Sequence, residues 1–464
     1  MITLVIAGTS FLWALWMAYN SATKGTRRAI WLSWFASILL IAAEIKLLLP
    51  GALINIQLVA TCLGLAMLLF DQRVNRPRLR FSLSDAFLCT WIACQFASAG
   101  LNGKLGPASI LGLILPTLPY YLLGRFFVGS LDDLPGAVKS SVPIFALCFL
   151  YMAFESVTHI NPQFHILGVH SGTEARYGLL RAHGVSYHPI SMGLVLVGVL
   201  PWGWEAAWQA KAKLVPIWRR FAPWFLYGSI FTTLSRGPLL AVFVALYVRT
   251  TIMSRKLRVP LIILALVGSI AGYVLKNEAA ELIDQIGGGS RETVQIISIN
   301  GKEYVYTGSY HRYLLFLVFE NYLENAGLFG YGHNFDMSFL YESGLSKFES
   351  IDSTYIQIVI ENGYFGASVL IFWGVACGVQ LLGLARELNR PYGRFAASTT
   401  AVLVAIYAML LTVFLSADVA RVLYFTYGLT ATLVNLKALE KRNPRRPAFI
   451  PQQPIPPNFH QTAV

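Results

Sequence analysis

Apolar residues fall along this chain in long unbroken runs, not in alternation. They cover roughly residues 2–20, 29–49, 52–70, 84–100, 107–128, 140–158, 188–204, 221–235, 237–250, 259–275, 352–384, 396–416 and 420–438. About 20 helical residues cross the hydrocarbon core of a bilayer, so each run is long enough, or nearly so, to span. Only helices and closed barrels satisfy their backbone groups in lipid. Continuous apolar runs select helices, because barrel strands alternate. The pattern predicts an all-α fold, a polytopic integral membrane protein of about 12–13 transmembrane helices. No internal repeat of the kind common in transporters is visible.

The polar interruptions carry a second pattern. Basic residues gather at every second connection: 21–28, 71–83, 125–139, 205–220, 249–258, 386–394 and the tail from Lys437, which together hold 25 of the 36 Lys and Arg. Short basic loops mark the cytoplasmic side. The first run has no positive charge before it and is followed by Lys24, Arg27 and Arg28. That polarity is opposite to a cleavable signal peptide, so a retained first helix with an outside N-terminus and a cytoplasmic C-terminus is expected. Two connections on the outer side are long, 159–187 and 276–351, and long loops are usually functional or disordered. The second holds 10 of the 23 acidic residues against five basic ones. The expected organisation is N-terminal helices over 1–158, a first outer loop 159–187, central helices 188–275, a large outer loop with an interfacial helix 276–351, C-terminal helices 352–438, and a disordered Pro-rich tail 439–464.

Composition agrees. The chain has 464 residues, 56% hydrophobic and 13% charged, against about 25% charged in soluble domains. The net charge of +13 comes from the basic loops and is no nucleic-acid signal. Five cysteines, Cys62, Cys89, Cys94, Cys148 and Cys377, lie inside apolar runs without metal-ligand or disulfide spacing.

Candidate chemistry sits at the outer boundaries. Arg176, Arg181, Arg236, Arg312 and Arg421 lie at or near the ends of apolar runs. An Arg at membrane depth costs several kcal/mol unless paired or wet, and its planar fork matches phosphate oxygens. Each has an ordinary alternative as a snorkelling residue or an ion pair; Arg421 beside Asp418 reads as such a pair. Arg236 is harder to place that way. It lies in Thr-Thr-Leu-Ser-Arg-Gly-Pro, a break with almost no loop. The first long loop ends RAHGVSYHPISMG, where Pro189 suits a first helical turn and the helix N-terminus favours an anion. His183, His188, His311 and His333 are a weak metal set, because no ligand spacing supports them. Asp352 opens the next run in Ile-Asp-Ser-Thr-Tyr. An N-cap is the commoner role; a base beside arginines, accepting a proton from a sugar hydroxyl, is the other. Gly-Leu-Phe-Gly-Tyr-Gly at 327–332 lacks the Lys-Ser/Thr of a P-loop and reads as a turn after an amphipathic helix. The segment 307–366 as a whole reads as an outward-facing lid and half of an active site.

The series RAHGVSYHPISMG, TLSRG, GSYHR, GLFGYG and DSTYIQIVIENGYFG, over roughly residues 175–385, resembles the O-antigen ligase and polysaccharide polymerase family. The resemblance implies a metal-independent, GT-C-like helical glycosyltransferase without cofactor, at the outer face of the bacterial inner membrane. It implies undecaprenyl-diphosphate-linked oligosaccharide as donor, membrane lipid around it, and a chain-length regulator or flippase as partner. Arginines hold the diphosphate in such enzymes, which maps here to Arg181, Arg236 and Arg312. Asp352, Arg236 and Arg181 are the expected catalytic set; His188, His311 and Tyr355 are candidates for acceptor binding. Ligases commonly carry His where Asp352 stands, so the departure favours a polymerase joining lipid-linked repeats. A ligase moving glycan to lipid or protein is the alternative, and a lipid-linked glycan transporter the alternative from another class.

Overall fold

The long apolar runs fold as helices because inside an apolar layer each backbone amide must find its partner within the segment. The computed structural model describes residues 2–42, 46–49, 52–71, 80–167, 175–176, 178–212, 216–274, 295–299, 301–306, 311–333, 335–345, 348 and 351–442. In chain order the elements are α1 (Ile2–Lys24), α2 (Thr26–Leu40), β1 (Lys46–Leu49), β2 (Ala52–Asn55), α3 (Ile56–Phe70), α4 (Leu83–Leu101), α5 (Pro107–Ile114), α6 (Leu118–Phe126), α7 (Leu134–Thr158) and α8 (Pro162–Leu167). They continue with β3 (Ala175–Arg176), β4 (Leu179–Leu180), α9 (Pro189–Lys211), α10 (Ala222–Thr232), α11 (Arg236–Met253), α12 (Arg255–Val274), β5 (Gln295–Ile299), β6 (Lys302–Tyr306), α13 (His311–Asn325), α14 (Ser338–Glu342), α15 (Thr354–Leu384), α16 (Pro391–Met409) and α17 (Ala417–Arg442). The described strands form only three two-stranded antiparallel hairpins.

Among the described residues five helical stretches are long and apolar enough to cross a membrane: Ser109–Phe126, Leu131–Thr158, Pro189–Lys211, Arg236–Met253 and Thr354–Leu384. The described residues are thus predominantly helical and of membrane type. Two expected runs divide into separate elements, and a third, 352–384, is broken at Gly363. Run 29–49 is helical only to Leu40, and its end pairs as β1 with β2, Lys46 opposite Asn55; the Pro50-Gly51 sequence favours a turn over a continuing helix. Run 107–128 splits around Leu115–Thr117 into α5 and α6, as Pro116 and Pro119 withhold donors and constrain their predecessors. Arg73, Arg76, Arg78, Glu44, the start of the large outer loop and the Pro-rich tail from Asn443 lie outside the described residues.

The helices pack closely. Gly124 of α6 lies against the Phe425 carbonyl of α17, and Gly428 of α17 against the Tyr121 carbonyl of α6. Small residues permit this backbone approach between apolar helices. The core around them includes Trp34, Phe35, Phe127, Trp202 and Trp373, each at most 4% exposed. Large apolar side chains also cover the outside, among them Phe243, Ile263, Leu264 and Phe372, a surface suited to lipid and not to water.

Contacts sort the helix ends into two sets. At the basic end Arg125 grips Asp85 (Nε–Oδ1 2.9 Å, Nη2–Oδ2 2.7 Å) and Arg394 grips Glu205 (Nη2–Oε1 2.9 Å, Nε–Oε2 3.2 Å). Arg27 with Asp133 at 3.6 Å and Lys437 with Glu387 at 2.9 Å join the same end. The opposite end holds the starts of α9, α11, α15 and α17, the ends of α7 and α10 and, among the described residues, 178–188 and 351–353.

Candidate functional site

At that opposite end α10 stops at Thr232 and α11 begins at Arg236, leaving a three-residue turn. Leu234 there has φ +46°, a left-handed conformation that a branched side chain adopts only when its surroundings hold it. Those surroundings are the first long loop. The Ala182 amide donates to the Thr232 carbonyl at 3.0 Å. Arg176 Nη1 donates to the Leu234 carbonyl at 3.1 Å, and Arg181 Nη2 to Ser235 Oγ at 3.0 Å. Arg181 is buried and Arg236 is exposed. The structure therefore brings Arg181 and the Arg236 turn together, and adds Arg176.

The loop is fixed by polar groups on α7 and by Asn161, just before α8. Glu155, fully buried, accepts the backbone amides of His183 (2.9 Å) and Gly184 (2.8 Å) through its two oxygens. Asn161 Nδ2 donates to the Gly184 carbonyl at 2.8 Å, and Tyr151 Oη donates to Asn161 Oδ1 at 2.7 Å. Ser156 Oγ donates to the Leu180 carbonyl at 2.8 Å. Such a network costs a great deal to leave half-satisfied, so it fixes the backbone of residues 180–184 and with it Arg181.

His188 is the N-cap of α9, its Nδ1 accepting from the Ile190 amide at 3.2 Å. With Tyr187, Tyr120, Ser416 and Arg421 it lines a cavity of about 340 Å³. Arg421 Nη1 donates to Asp418 Oδ1 at 2.8 Å, the pair that their spacing predicts, and also to Gln57 Oε1. The cavity adjoins the arginine turn through α9: Ser191 lines it, and Gly193 packs against Pro238 of α11.

The third group stands where α15 begins. Asp352 does not cap this helix. Ser353 takes the N-cap position without a side-chain cap bond, and the Asp352 carboxylate faces His311 Nε2 at 3.7 Å. His311 is oriented by Tyr306 Oη, 3.2 Å from Nδ1, and stacks on Phe348 with ring centroids 5.1 Å apart. The helix start is anchored instead by Thr354, whose amide donates to the Leu410 carbonyl at 3.0 Å and whose Oγ1 donates to the Val413 carbonyl at 2.8 Å. With its first bonds made by the backbone and Thr354, the helix leaves Asp352 to pair elsewhere. Tyr355 Oη donates to the Tyr407 carbonyl at 3.0 Å. Arg312 is the second residue of α13; its side chain lies outside the described residues.

The described residues between α12 and α15 have a core of their own. Leu314, Leu315 and Phe319 of α13 pack with Ile299, Leu340, Phe348 and Ile356, so the apolar face of α13 turns toward the loop and the start of α15. The glycine-rich turn then docks on a break in α15. Gly363 has φ +69°, ψ −174°, a conformation essentially reserved for glycine, and a Cβ there would collide with the Leu328 carbonyl. Across the break the Tyr331 amide donates to the Ile360 carbonyl (2.7 Å) and the Phe365 amide to the Leu328 carbonyl (3.1 Å). Lys104 Nζ donates to the Tyr331 and His333 carbonyls, both at 3.1 Å. His333 Nδ1 lies 3.5 Å from Glu361 Oε2, and that carboxylate raises the His333 pKa above its ordinary value.

The four histidines thus have separate partners: the Tyr187 carbonyl 2.8 Å from His183 Nδ1, the α9 amide for His188, Asp352 for His311 and Glu361 for His333. Among the described residues no three His, Cys, Asp or Glu side chains gather as metal ligands would. Arg176, one of the five boundary arginines, lies outside the expected diphosphate set yet reaches the turn, and Glu155 is the clamp beneath it. Both carried a signal, Arg176 as a boundary arginine and Glu155 as an acid within an apolar run. No protein-family model matches the chain, and no curated protein matches it either.

Proposed function

We propose that this protein is a membrane glycosyltransferase of the polysaccharide polymerase kind, spanning the bacterial inner membrane with the basic helix ends in the cytoplasm and the arginine turn at the outer face. One observation carries the reading: Arg176 and Arg181 converge on the turn that Arg236 completes. Guanidinium groups gathered at one turn suit the oxygens of a diphosphate leaving group.

In the proposed reaction an acceptor hydroxyl of one lipid-linked repeat attacks the anomeric carbon of another. The new C–O bond forms as the bond to undecaprenyl diphosphate breaks, and the hydroxyl proton passes to Asp352, which His311 orients. Arg181, Arg236 and Arg176 offset the charge developing on the departing diphosphate. Fixed cationic groups aimed at developing charge are often the largest catalytic contribution. Acceptor sugar would meet His188, which lines the adjoining cavity, and Tyr355 in the first turn of α15 would serve it only by giving up its bond to the Tyr407 carbonyl. The departure from the ligase His at Asp352 favours a lipid-linked repeat as acceptor.

The test is a deletion strain in which surface polysaccharide and lipid-linked intermediates are measured together. Loss of long polymer with accumulation of single lipid-linked repeats supports the reading. Unchanged polymer, or loss of the lipid-linked intermediates themselves, removes it.

A further inference from the structure

A second cavity, of about 380 Å³, lies at the basic end between the α11–α12 junction and the end of α15. Three arginines line it, Arg255, Arg258 and Arg386, with Ile252, Ile262 and Leu382, and no carboxylate is among its lining residues. Arg258 is committed in part: its Nε and Nη2 donate to the Thr251 and Ile252 carbonyls at 3.1 and 3.0 Å, closing the end of α11. Arg255 and Arg386 are exposed and make no hydrogen bond or ion pair among the described residues.

The residues above the cavity continue the pattern. On α15, Val375, Val379, Leu382 and Arg386 follow one another at i, i+4, i+7 and i+11, which puts them on one helix face. The three apolar members are 56%, 63% and 43% exposed. On α12, Arg255, Arg258, Ile262 and Leu266 form the matching column, with Ile262 and Leu266 at 48% and 61% exposed. Two uncovered apolar columns therefore each end in arginine at the same cavity.

We propose that this cleft is a binding site for one anionic phospholipid, with the headgroup phosphate between Arg255 and Arg386 and the acyl chains along the α12 and α15 columns. The charge and the shape select the occupant together. A free phosphate meets the arginines and leaves the columns bare; a zwitterionic lipid covers the columns and brings its own cation to the arginines. Basic pockets between membrane helices take anionic headgroups by this combination. The site lies at the far end of the helices from the arginine turn, so it is separate from the reaction proposed above.

The full chain, purified in mild detergent, is to be incubated with phosphatidylglycerol or phosphatidylcholine and analysed for bound lipid by native mass spectrometry. The protein should retain phosphatidylglycerol over phosphatidylcholine, and excess inorganic phosphate should not displace it. The double variant Arg255→Gln, Arg386→Gln should lower that preference roughly tenfold, the order expected from two basic side chains beside an anionic group. Arg255→Lys, Arg386→Lys should keep most of it and controls for folding. Equal retention of the two lipids, displacement by phosphate, or an unchanged preference in the Gln variant would overturn the proposal.

Discussion

The arginines at the two ends of the helices are held in opposite ways. At the basic end Arg125 and Arg394 each meet a carboxylate through two hydrogen bonds, on half-buried Asp85 and buried Glu205. Arg394 also lies over the Trp208 ring at 3.2 Å. At the other end Arg176 and Arg181 donate to a carbonyl and a hydroxyl. A bidentate ion pair cancels charge and locks two helices together. A bond to a neutral oxygen aims a guanidinium without itself cancelling its charge. The same side chain therefore fastens helices at one end, and under the proposed function it meets a diphosphate at the other.

Breaking each kind of contact should give different outcomes. The largest effect on folding is expected from Arg394→Ala, which strands Glu205, only 3% exposed. Removing one member of a buried pair costs about 3–5 kcal/mol, so folded yield and melting temperature should fall sharply. Replacing both partners by apolar residues of like volume should recover most of the loss. Gly363→Ala should come next, at about 1–3 kcal/mol for a backbone held in a glycine-only region. It should also free the 327–332 turn, visible as faster amide exchange at Tyr331 and Phe365. Arg176→Ala should leave the melting temperature within a few degrees and reduce polymer, since a single hydrogen bond contributes only about 1 kcal/mol.

The smallest effect concerns pH. His333 is 61% exposed by side chain, and its pKa is raised, first by the hydrogen bond to Glu361. A histidine with a raised folded pKa adds stability that is complete below its unfolded value and is lost as pH rises through the folded value. The wild type should therefore lose its small stability advantage over His333→Gln from just above pH ~6.5 upward. An advantage that grows with pH would show that the Glu361 contact is not formed.

The helices could be read from the chain because a run of about 20 apolar residues has few other ways to satisfy its backbone in lipid. Arg236 stood out for a similar reason: a charge in a break with no loop needs a polar setting. What escaped were pairings between distant segments. Arg176 meets Leu234 across 58 residues, and nothing local to either marks the contact. Asp352 reads locally as a cap, and its departure toward His311 depends on Thr354 finding Leu410 and Val413. Gly363 sits in Glu-Asn-Gly-Tyr within an apolar run, where a glycine is ordinarily tolerated in a helix; the break becomes necessary only when the 327–332 turn docks on it. The hairpin at 46–55 was hidden because its residues are as apolar as those of a span.

The most direct measurement uses purified protein and synthetic undecaprenyl-diphosphate-linked repeats, with products separated by length. Wild type should give a ladder of elongated products. Arg236→Ala should lower the elongation rate at least ~100-fold, the loss seen when one group stabilising a developing anion is removed, while the melting temperature stays that of wild type. A ladder of normal length and rate from a folded Arg236→Ala protein would contradict the account.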